Sequence, residues 1–443
     1  MRVHFVGIGG IGMSSLALHC KINGNDVYGS DIYDNEQTEI LKKAGIHVFI
    51  GHDYNNWLDP DLVVHTPAVH FDNPEIIRAR REGVKVVSRS EFLRDILDGS
   101  TQFAVTGSDG KTTTTAMLAH CLKAFGDDPT VFLGGVHRSL EFGNYRSGKG
   151  PIVYELDESQ PEFSNFRPDY LIITNARGDH LENYNSDAGF YRSCFEKLAS
   201  ETRKIVVTFA DDPNTSHLGT YTFGKSHGTC KLHSRVVRDL QQVAEIELNG
   251  KRYGLILRVP GEHNVLNAMA VLTLFWAAGY DPNRVLEALK DFVGTRRRFD
   301  ITVLNEQQKT YVVDDYAHTP DEIRSLIAAT GEVFPRQKKI VVFQPHRYSR
   351  LLREDGNFAK ALKDADEIYV TEVYSAFEKA IPQLSAKVIV EGLQNYGKKA
   401  RYFPKLEDLL GAFQPQENTV YLFVGAGDII KVSQNFVQNY KKR

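Results

Sequence analysis

Thr106-Gly107-Ser108-Asp109-Gly110-Lys111-Thr112-Thr113 closes the short strand-like run Gln102–Thr106 and opens a stretch of helical spacing. Strand, glycine-rich turn and helix in that order form a phosphate-binding unit. Successive backbone N–H groups of the turn can converge on one phosphate cluster, and the helix adds its positive N-terminal end. Lys111 adds a full charge, and the Thr112 hydroxyl is placed to ligate Mg²⁺. Two residues separate the glycines, where the general phosphate loop has four. An ordinary strand–helix turn with an exposed lysine is the plainer reading. The run of threonines from Thr112 to Thr115, on a helix with an apolar side, argues against it. The turn predicts ATP with Mg²⁺ (Mn²⁺ as an alternative), held by Gly107, Ser108, Asp109, Gly110, Lys111, Thr112 and Thr113.

Nearer the N-terminus, Gly7-Ile8-Gly9-Gly10-Ile11-Gly12 also follows a strand, Arg2–Val6, and opens a helix. Asp31 closes the next strand, about where a ribose-contacting carboxylate is expected. The pattern suits a nucleotide diphosphate without saying which, so NAD and a dehydrogenase stay open here. Close glycine-permitted packing of strand on helix is the bland alternative.

Glu155-Leu156-Asp157-Glu158-Ser159 ends the strand Ile152–Tyr154, and Asn175, Asp179 and His180 follow the strand Tyr170–Thr174. Side chains at the carboxyl ends of adjacent parallel strands converge on one crevice, where carboxylates can meet a phosphate-bound metal. His263, Asn264 and Asn267 lie where a turn enters a helix. The two asparagines share a face and can pair with an adenine edge, although Asn264 alone reads as a helix cap. Arg296-Arg297-Arg298 falls between two segments, as a hinge reaching phosphates would. Asp314-Asp315-Tyr316-Ala317-His318 and His346-Arg347-Tyr348-Ser349-Arg350 lie just beyond later strands, and two close arginines can clamp a carboxylate. Gly425-Ala426-Gly427-Asp428 joins the last strand to the last helix.

Strands alternate with helices along all 443 residues, which predicts an α/β fold in three domains. These are a Rossmann-like N-terminal domain over 1–99, a P-loop ATPase-type central domain over 100–294 and a Rossmann-like C-terminal domain over 295–443. The stretch Tyr221–Arg258 reads as a β-rich insertion, and Asn264–Ala278 as a helix. A formal net charge of -3 gives no general attraction to nucleic acid or an anionic membrane. Cys20, Cys121, Cys194 and Cys230 lie far apart with no C-x-x-C pair, which suits a reducing compartment. No apolar run approaches the ~18 residues of a membrane span, and no signal peptide is evident. The expected location is the cytoplasm.

In order, these motifs resemble the Mur ligase family across nearly the whole chain. G-I-G-G-I-G-M-S at Gly7–Ser14, S-D-G-K-T-T-T at Ser108–Thr114, E-L-D-E-S at Glu155–Ser159 and D-H-L-E-N-Y at Asp179–Tyr184 carry the likeness. So do H-N-V-L-N-A at His263–Ala268, R-R-F at Arg297–Phe299, D-D-Y-A-H at Asp314–His318, H-R-Y-S-R at His346–Arg350 and G-A-G-D at Gly425–Asp428. The resemblance implies ATP-dependent amide ligation of an amino acid to a UDP-muramoyl acceptor during peptidoglycan synthesis. By it, Lys111, Glu155 and His180 are catalytic, with Thr112, Glu155 and His180 on the metal. His263, Asn264 and Asn267 frame the adenine, and Arg298 and Asp315 reach the nucleotide. Gly9, Gly10, Ile11, Gly12, Ser30 and Asp31 line the UDP-sugar, while His318, Arg347 and Arg350 face the amino acid. The expected substrates are UDP-N-acetylmuramate and L-alanine, and the expected state is a monomer or weak homodimer.

Departures from the family pattern are specific. Ser108 stands where the family has threonine. Thr319 stands where members using L-alanine carry a second histidine, so a preformed peptide or another amino acid is the alternative acceptor. Tyr191-Arg192-Ser193-Cys194 offers no lysine for the carbamylated ligand of some relatives, which leaves a second metal site open.

Overall fold

The structure is a computed structural model describing residues 1–443 apart from Arg138, Ser139, Asp179, Asp239, Thr295, Phe377, Phe413, Lys442 and Arg443. Asp179, expected near the metal, therefore lies outside the described residues.

Strands β1 (Arg2–Val6), β2 (Asp26–Asp31), β3 (His47–Ile50), β4 (Leu62–His65) and β5 (Lys85–Ser88) make a parallel sheet ordered β3-β2-β1-β4-β5. Helices α1 (Ile11–Ile22), α2 (Glu36–Lys43) and α3 (Pro74–Arg81) connect the strands, and α4 (Arg89–Leu97) follows the last. The order reverses at β1, so the crevice of this doubly wound sheet opens at the carboxyl ends of β1 and β4. Val3, Phe5, Val6, Val63 and Val64 are fully buried, as strands covered on both faces require. Capping boxes start α2 at Asn35 and α4 at Ser88, satisfying N–H groups that the first turn leaves unpaired.

The second sheet holds β6 (Gln102–Thr106), β7 (Thr130–Phe132), β8 (Tyr145–Arg146), β9 (Ile152–Glu155), β10 (Tyr170–Ile173) and β11 (Ile205–Phe209). It continues through β12 (Tyr221–Gly224), β13 (Cys230–Arg238), β14 (Gln241–Leu248) and β15 (Lys251–Leu257), the expected β-rich insertion. The order is β15-β14-β13-β12-β11-β10-β6-β9-β7-β8, so β6 lies between β10 and β9, parallel to both. Helices α5 (Lys111–Ala124), α6 (Ala188–Ser200), α7 (Glu262–Ala277) and α8 (Pro282–Lys290) accompany it. The start of α7 at Glu262 corrects the reading of Asn264 as a cap. Gly261, at φ +95°, makes the turn, and Asn264 sits inside the first helical turn.

The third sheet is ordered β16-β17-β21-β18-β19-β20. Its strands are β16 (Asp300–Asn305), β17 (Thr310–Asp315), β18 (Lys338–Phe343), β19 (Glu367–Thr371), β20 (Lys399–Phe403) and β21 (Thr419–Val424). All pair in parallel except β16, which runs antiparallel to β17. Its helices are α9 (Pro320–Val333), α10 (Tyr348–Arg353), α11 (Asn357–Leu362), α12 (Lys387–Gln394) and α13 (Ile429–Lys441).

The chain divides into two compact units. One comprises 1–235, 244–256 and 263–292, the other 236–243, 257–262 and 293–443. Inside the first unit, α1 is tied to the segment around β8. Asn144 Nδ2 donates to the Ile11 carbonyl at 2.6 Å and to Ser14 Oγ at 2.9 Å, and His19 Nδ1 lies 3.0 Å from the Tyr145 hydroxyl. These buried polar contacts join the first sheet to the second. All four cysteines are buried and unpaired. Among the described residues no helix is long and apolar enough to cross a membrane.

Candidate active site

The phosphate loop is shaped by glycines and by the strand beside it. Gly107 has φ +127°, and a Cβ there would lie 2.2 Å from Thr174 Oγ1 and 2.7 Å from the Asn175 carbonyl oxygen. Only glycine fits that approach. Ser108 N donates to the Asn175 carbonyl at 3.0 Å, and Asp109 N donates to Asn175 Oδ1 at 3.0 Å. Asn175, expected near the metal, is thus a clamp on the loop. The Asp109 carboxylate pairs with Arg177 at 2.7 Å, and Ser108 Oγ accepts from Arg177 N at 3.0 Å.

Gly110, at φ +78°, precedes α5, and a Cβ there would lie 2.6 Å from Asn267 Oδ1. Asn267 Nδ2 lies 3.4 Å from Asn264 Oδ1. The face of α7 expected at the adenine therefore borders the phosphate turn, with His263 one residue ahead of Asn264.

Lys111 Nζ folds over the loop, donating to the carbonyls of Gly107 at 2.5 Å and Ser108 at 3.2 Å. It also lies 2.7 Å from Glu158 Oε2, a carboxylate only 3 % exposed. Burial pushes the Glu158 carboxyl up to about 7; Lys111 opposes the shift and Asp157 adds to it. Burial alone would lower Lys111, but Glu158, Glu155 and Asp157 outweigh it and raise its pKa. The Tyr184 hydroxyl donates to the Glu158 carbonyl at 2.5 Å, linking the D-H-L-E-N-Y segment to the acidic one. Thr112 Oγ1 donates to Glu155 Oε2 at 2.9 Å, and Gly134 N donates to the same oxygen at 3.1 Å. Thr113 is buried against the core. His180 caps a short 3₁₀ turn, with Nδ1 3.6 Å from Glu182.

At the N-terminal glycine turn, Gly7 N and Ile8 N both donate to the Ser30 carbonyl at 2.9 Å. Gly9 N donates to Asp31 Oδ2 at 2.8 Å. Gly10 precedes α1, whose first residues are Ile11 and Gly12. Ser30 was expected to line the ligand, and this needs correcting. Its side chain is fully buried, and its hydroxyl donates to Glu75 Oε2 at 2.6 Å. Glu75 also meets His4 at 2.9 Å, Asp53 N at 3.2 Å and Asn56 Nδ2 at 2.8 Å. Ser30 supports the turn from beneath because both faces of β2 are covered.

A cavity of about 220 Å³ runs from Gly12 and Ser15 of α1, past Arg89 of α4, to Gly134, Glu155 and Asp157. It connects the glycine turn with the carboxylate that holds Thr112. Asp157 belongs to the acidic run that the sequence places at this strand end, whereas no motif marks Arg89.

In the second unit, the remaining residues collect at the carboxyl edge of the third sheet. Asp315 accepts from Phe299 N at 2.7 Å and Ala317 N at 2.8 Å. Burial raises its carboxyl to about 6 against the pull of Arg298. The guanidinium of Arg298 lies 5.2 Å from the Tyr316 ring centre and 3.7 Å from Glu322. His318 Nδ1 is 3.0 Å from the Tyr316 carbonyl, which can only accept, so this nitrogen carries the proton. Arg350 Nη1 lies 3.1 Å from His346 Nδ1. Burial lowers His318 to about 4 and His346 to about 3, so both rings are neutral at ordinary pH. Arg347 is exposed, and its φ of +73° is rare for a non-glycine residue. His318 and Arg350, two of the three residues expected at the amino acid, lie around His346, which comes from the same motif as Arg350.

Comparison with known proteins agrees with this architecture. The family model described as "Mur ligase family, catalytic domain" matches residues 2–101, the Mur ligase middle domain matches 105–275, and the "Mur ligase, glutamate ligase domain" matches 297–427. The chain belongs to the Mur ligase family. It is 70 % identical to the UDP-N-acetylmuramate–L-alanine ligase of Pseudothermotoga lettingae over 445 aligned residues, 100 % of each chain. The crystal structure of the UDP-N-acetylmuramate–alanine ligase of Thermotoga maritima superposes with a TM-score of 0.93 at 55 % identity, covering 100 % of this chain and 99 % of that one. A murein peptide ligase from Psychrobacter arcticus shares the fold, with a TM-score of 0.71 at 21 % identity and coverage of 100 % and 99 %.

Proposed function

We propose that the chain is an ATP-dependent ligase that joins L-alanine to the lactyl carboxylate of UDP-N-acetylmuramate in peptidoglycan precursor synthesis. The carrying observation is the meeting of Lys111, Thr112 and Glu155 at one turn, beside a cavity that the N-terminal glycine turn also lines. The matching of all three family models in order, and identity over the full length, support the same reading. Thr319, the departure that left a peptide acceptor open, is outweighed by full-length identity to ligases named for L-alanine.

The residues fit a hard cation. Thr112 Oγ1 and Glu155 Oε2 lie 2.9 Å apart and offer oxygen donors. Mg²⁺ suits such a site, because it keeps water and substrate phosphate among its ligands. Thr112, Glu155 and His180 would hold it, and it would supply charge neutralisation at the phosphates. Two unit charges ~4 Å apart at an effective dielectric of 20 repel by about 4 kcal/mol. Lys111 and the loop amides offset that repulsion and align the groups. A lactyl carboxylate oxygen attacks the γ-phosphorus of ATP, and ADP leaves. The uncharged amine of L-alanine then attacks the acyl carbon, and phosphate leaves.

His263, Asn264 and Asn267 serve the adenine, Arg298 and Asp315 the nucleotide, and Gly9, Gly10, Ile11, Gly12 and Asp31 the UDP-sugar. His318, Arg347 and Arg350 take the amino acid. The reading includes domains at 1–99, 100–294 and 295–443, a cytoplasmic setting, and a monomer or weak homodimer. The test is phosphate release from Mg·ATP and UDP-N-acetylmuramate, screened over amino acids and the tripeptide L-Ala-γ-D-Glu-diaminopimelate. Release that requires L-alanine supports the proposal; release that is supported by the tripeptide and not by L-alanine overturns it.

A further inference from the structure

The cavity between the glycine turn and Glu155 contains one cation among its lining residues, Arg89, facing two carboxylates, Glu155 and Asp157. Arg89 is the first residue of α4, set in place by the Ser88–Glu91 capping box. Its guanidinium lies over α1, with Nη1 only 2.6 Å from where a Cβ on Gly12 would stand. Gly12 therefore makes room for this arginine as well as for the turn. Among the described residues the guanidinium meets a single acceptor, Asp157 Oδ2, at a loose 3.5 Å. Arginine carries five donors in a planar fork matched to a carboxylate, and here that one loose contact leaves most of them available.

We infer that Arg89 is a binding residue for the carboxylate of the sugar-nucleotide acceptor, exchanging its loose contact with Asp157 for the substrate's lactyl carboxylate. The inference rests on the UDP-N-acetylmuramate reading above. Pyrophosphate is expected at the N-terminal end of α1, beside Gly9 and Gly10. Arg89 sits past that point, on the side where Glu155 and Asp157 begin. An acceptor carboxylate entering this cavity meets two fixed negative charges, and Arg89 is the cation among the lining residues. Held by the fork, the carboxylate is anchored within the cavity that leads to Glu155 and Thr112.

Calorimetric binding of two ligands separates the roles. UDP-N-acetylglucosamine has the same nucleotide and sugar without the lactyl group, while UDP-N-acetylmuramate carries it. Arg89→Ala is expected to weaken UDP-N-acetylmuramate about ten- to hundredfold, the usual range for a lost charge-assisted contact, and to leave UDP-N-acetylglucosamine within twofold. Arg89→Lys should restore only part of the loss. Asp157→Asn should tighten UDP-N-acetylmuramate in the parent chain and have no such effect in the Arg89→Ala background, since coupling requires both partners. Equal weakening of both ligands would overturn the assignment in favour of a pyrophosphate or folding role. If the parent chain bound neither ligand, the acceptor reading itself would fail instead.

Discussion

Lys111 Nζ stands 2.7 Å from Glu158 Oε2 and 2.5 Å from the Gly107 carbonyl oxygen, so the lysine that should meet ATP is already held by its own protein. Glu158 is raised to about 7, chiefly by burial. Above pH 7 it is ionised, holds Lys111 and repels incoming phosphate. Below pH 7 it takes a proton and loses the ionic part of its hold on Lys111, leaving the contacts with the Gly107 and Ser108 carbonyls. Nucleotide binding should therefore weaken as pH rises through 7. For Glu158→Gln the slope between pH 6 and 8 should be flatter, with Mg·ADP bound several-fold more tightly than by the parent chain at pH 8. Titration calorimetry at three pH values reads the difference, and parallel curves for the two proteins would contradict it.

Gly107→Ala places a methyl group 2.2 Å from Thr174 Oγ1 and 2.7 Å from a backbone oxygen, at φ +127°. Strain and overlap together should cost at least about 2 kcal/mol of stability and abolish nucleotide binding. Adding Thr174→Ala removes only the hydroxyl overlap and should not restore binding. Urea denaturation together with nucleotide titration checks both parts.

His318 and His346 are lowered to about 4 and 3 by burial, so neither ring changes charge between pH 6 and 8. The KM for L-alanine should show no inflection near pH 6.5 attributable to these rings. Arg350→Ala and His318→Ala should each raise that KM at least tenfold while moving the KM for ATP less than threefold. Equal changes in both constants would remove these residues from the amino-acid site.

Burial works against ionisation of Glu75, yet its contacts with His4, His52 and Ser30 hold its carboxyl well below the usual range. A depressed carboxyl contributes stability above its unfolded-state pKa, and that contribution is lost as pH falls toward the folded value. The parent chain should lose stability progressively below pH ~4.5. Glu75→Gln should be about 2 kcal/mol less stable at pH 7, the scale expected for weakening hydrogen bonds to a buried charged group, and less sensitive to acid. Thermal unfolding at pH 7, 5 and 4 gives both values.

Strand positions were largely legible because buried parallel strands write themselves as short apolar runs. Arg2–Val6 and Gln102–Thr106 have the expected limits. The two glycine turns were legible because positive φ and close approach leave no other residue. Ser30 was misplaced because β2 is covered on both faces, so alternation cannot tell ligand side from core side. Asn264 resembled a cap because Gly261 starts the helix earlier than the asparagine suggested. Asn175 carried no local sign of its clamp on Ser108 and Asp109. Arg89 could not be found from its neighbours, since its meaning depends on Gly12 and Asp157, remote in the chain and adjacent only after folding.

Cys20, Cys121, Cys194 and Cys230 are each no more than 4 % exposed, and burial raises every one of their thiols. A maleimide reagent finds little thiolate on the native surface. The chain is thus a ready background for paired fluorophores. Ile77→Cys in the first unit and Val388→Cys in the second, at positions 46 % and 43 % exposed, would accept dyes without deletion of a native cysteine. The distance between the two units could then be followed by energy transfer as each substrate is added.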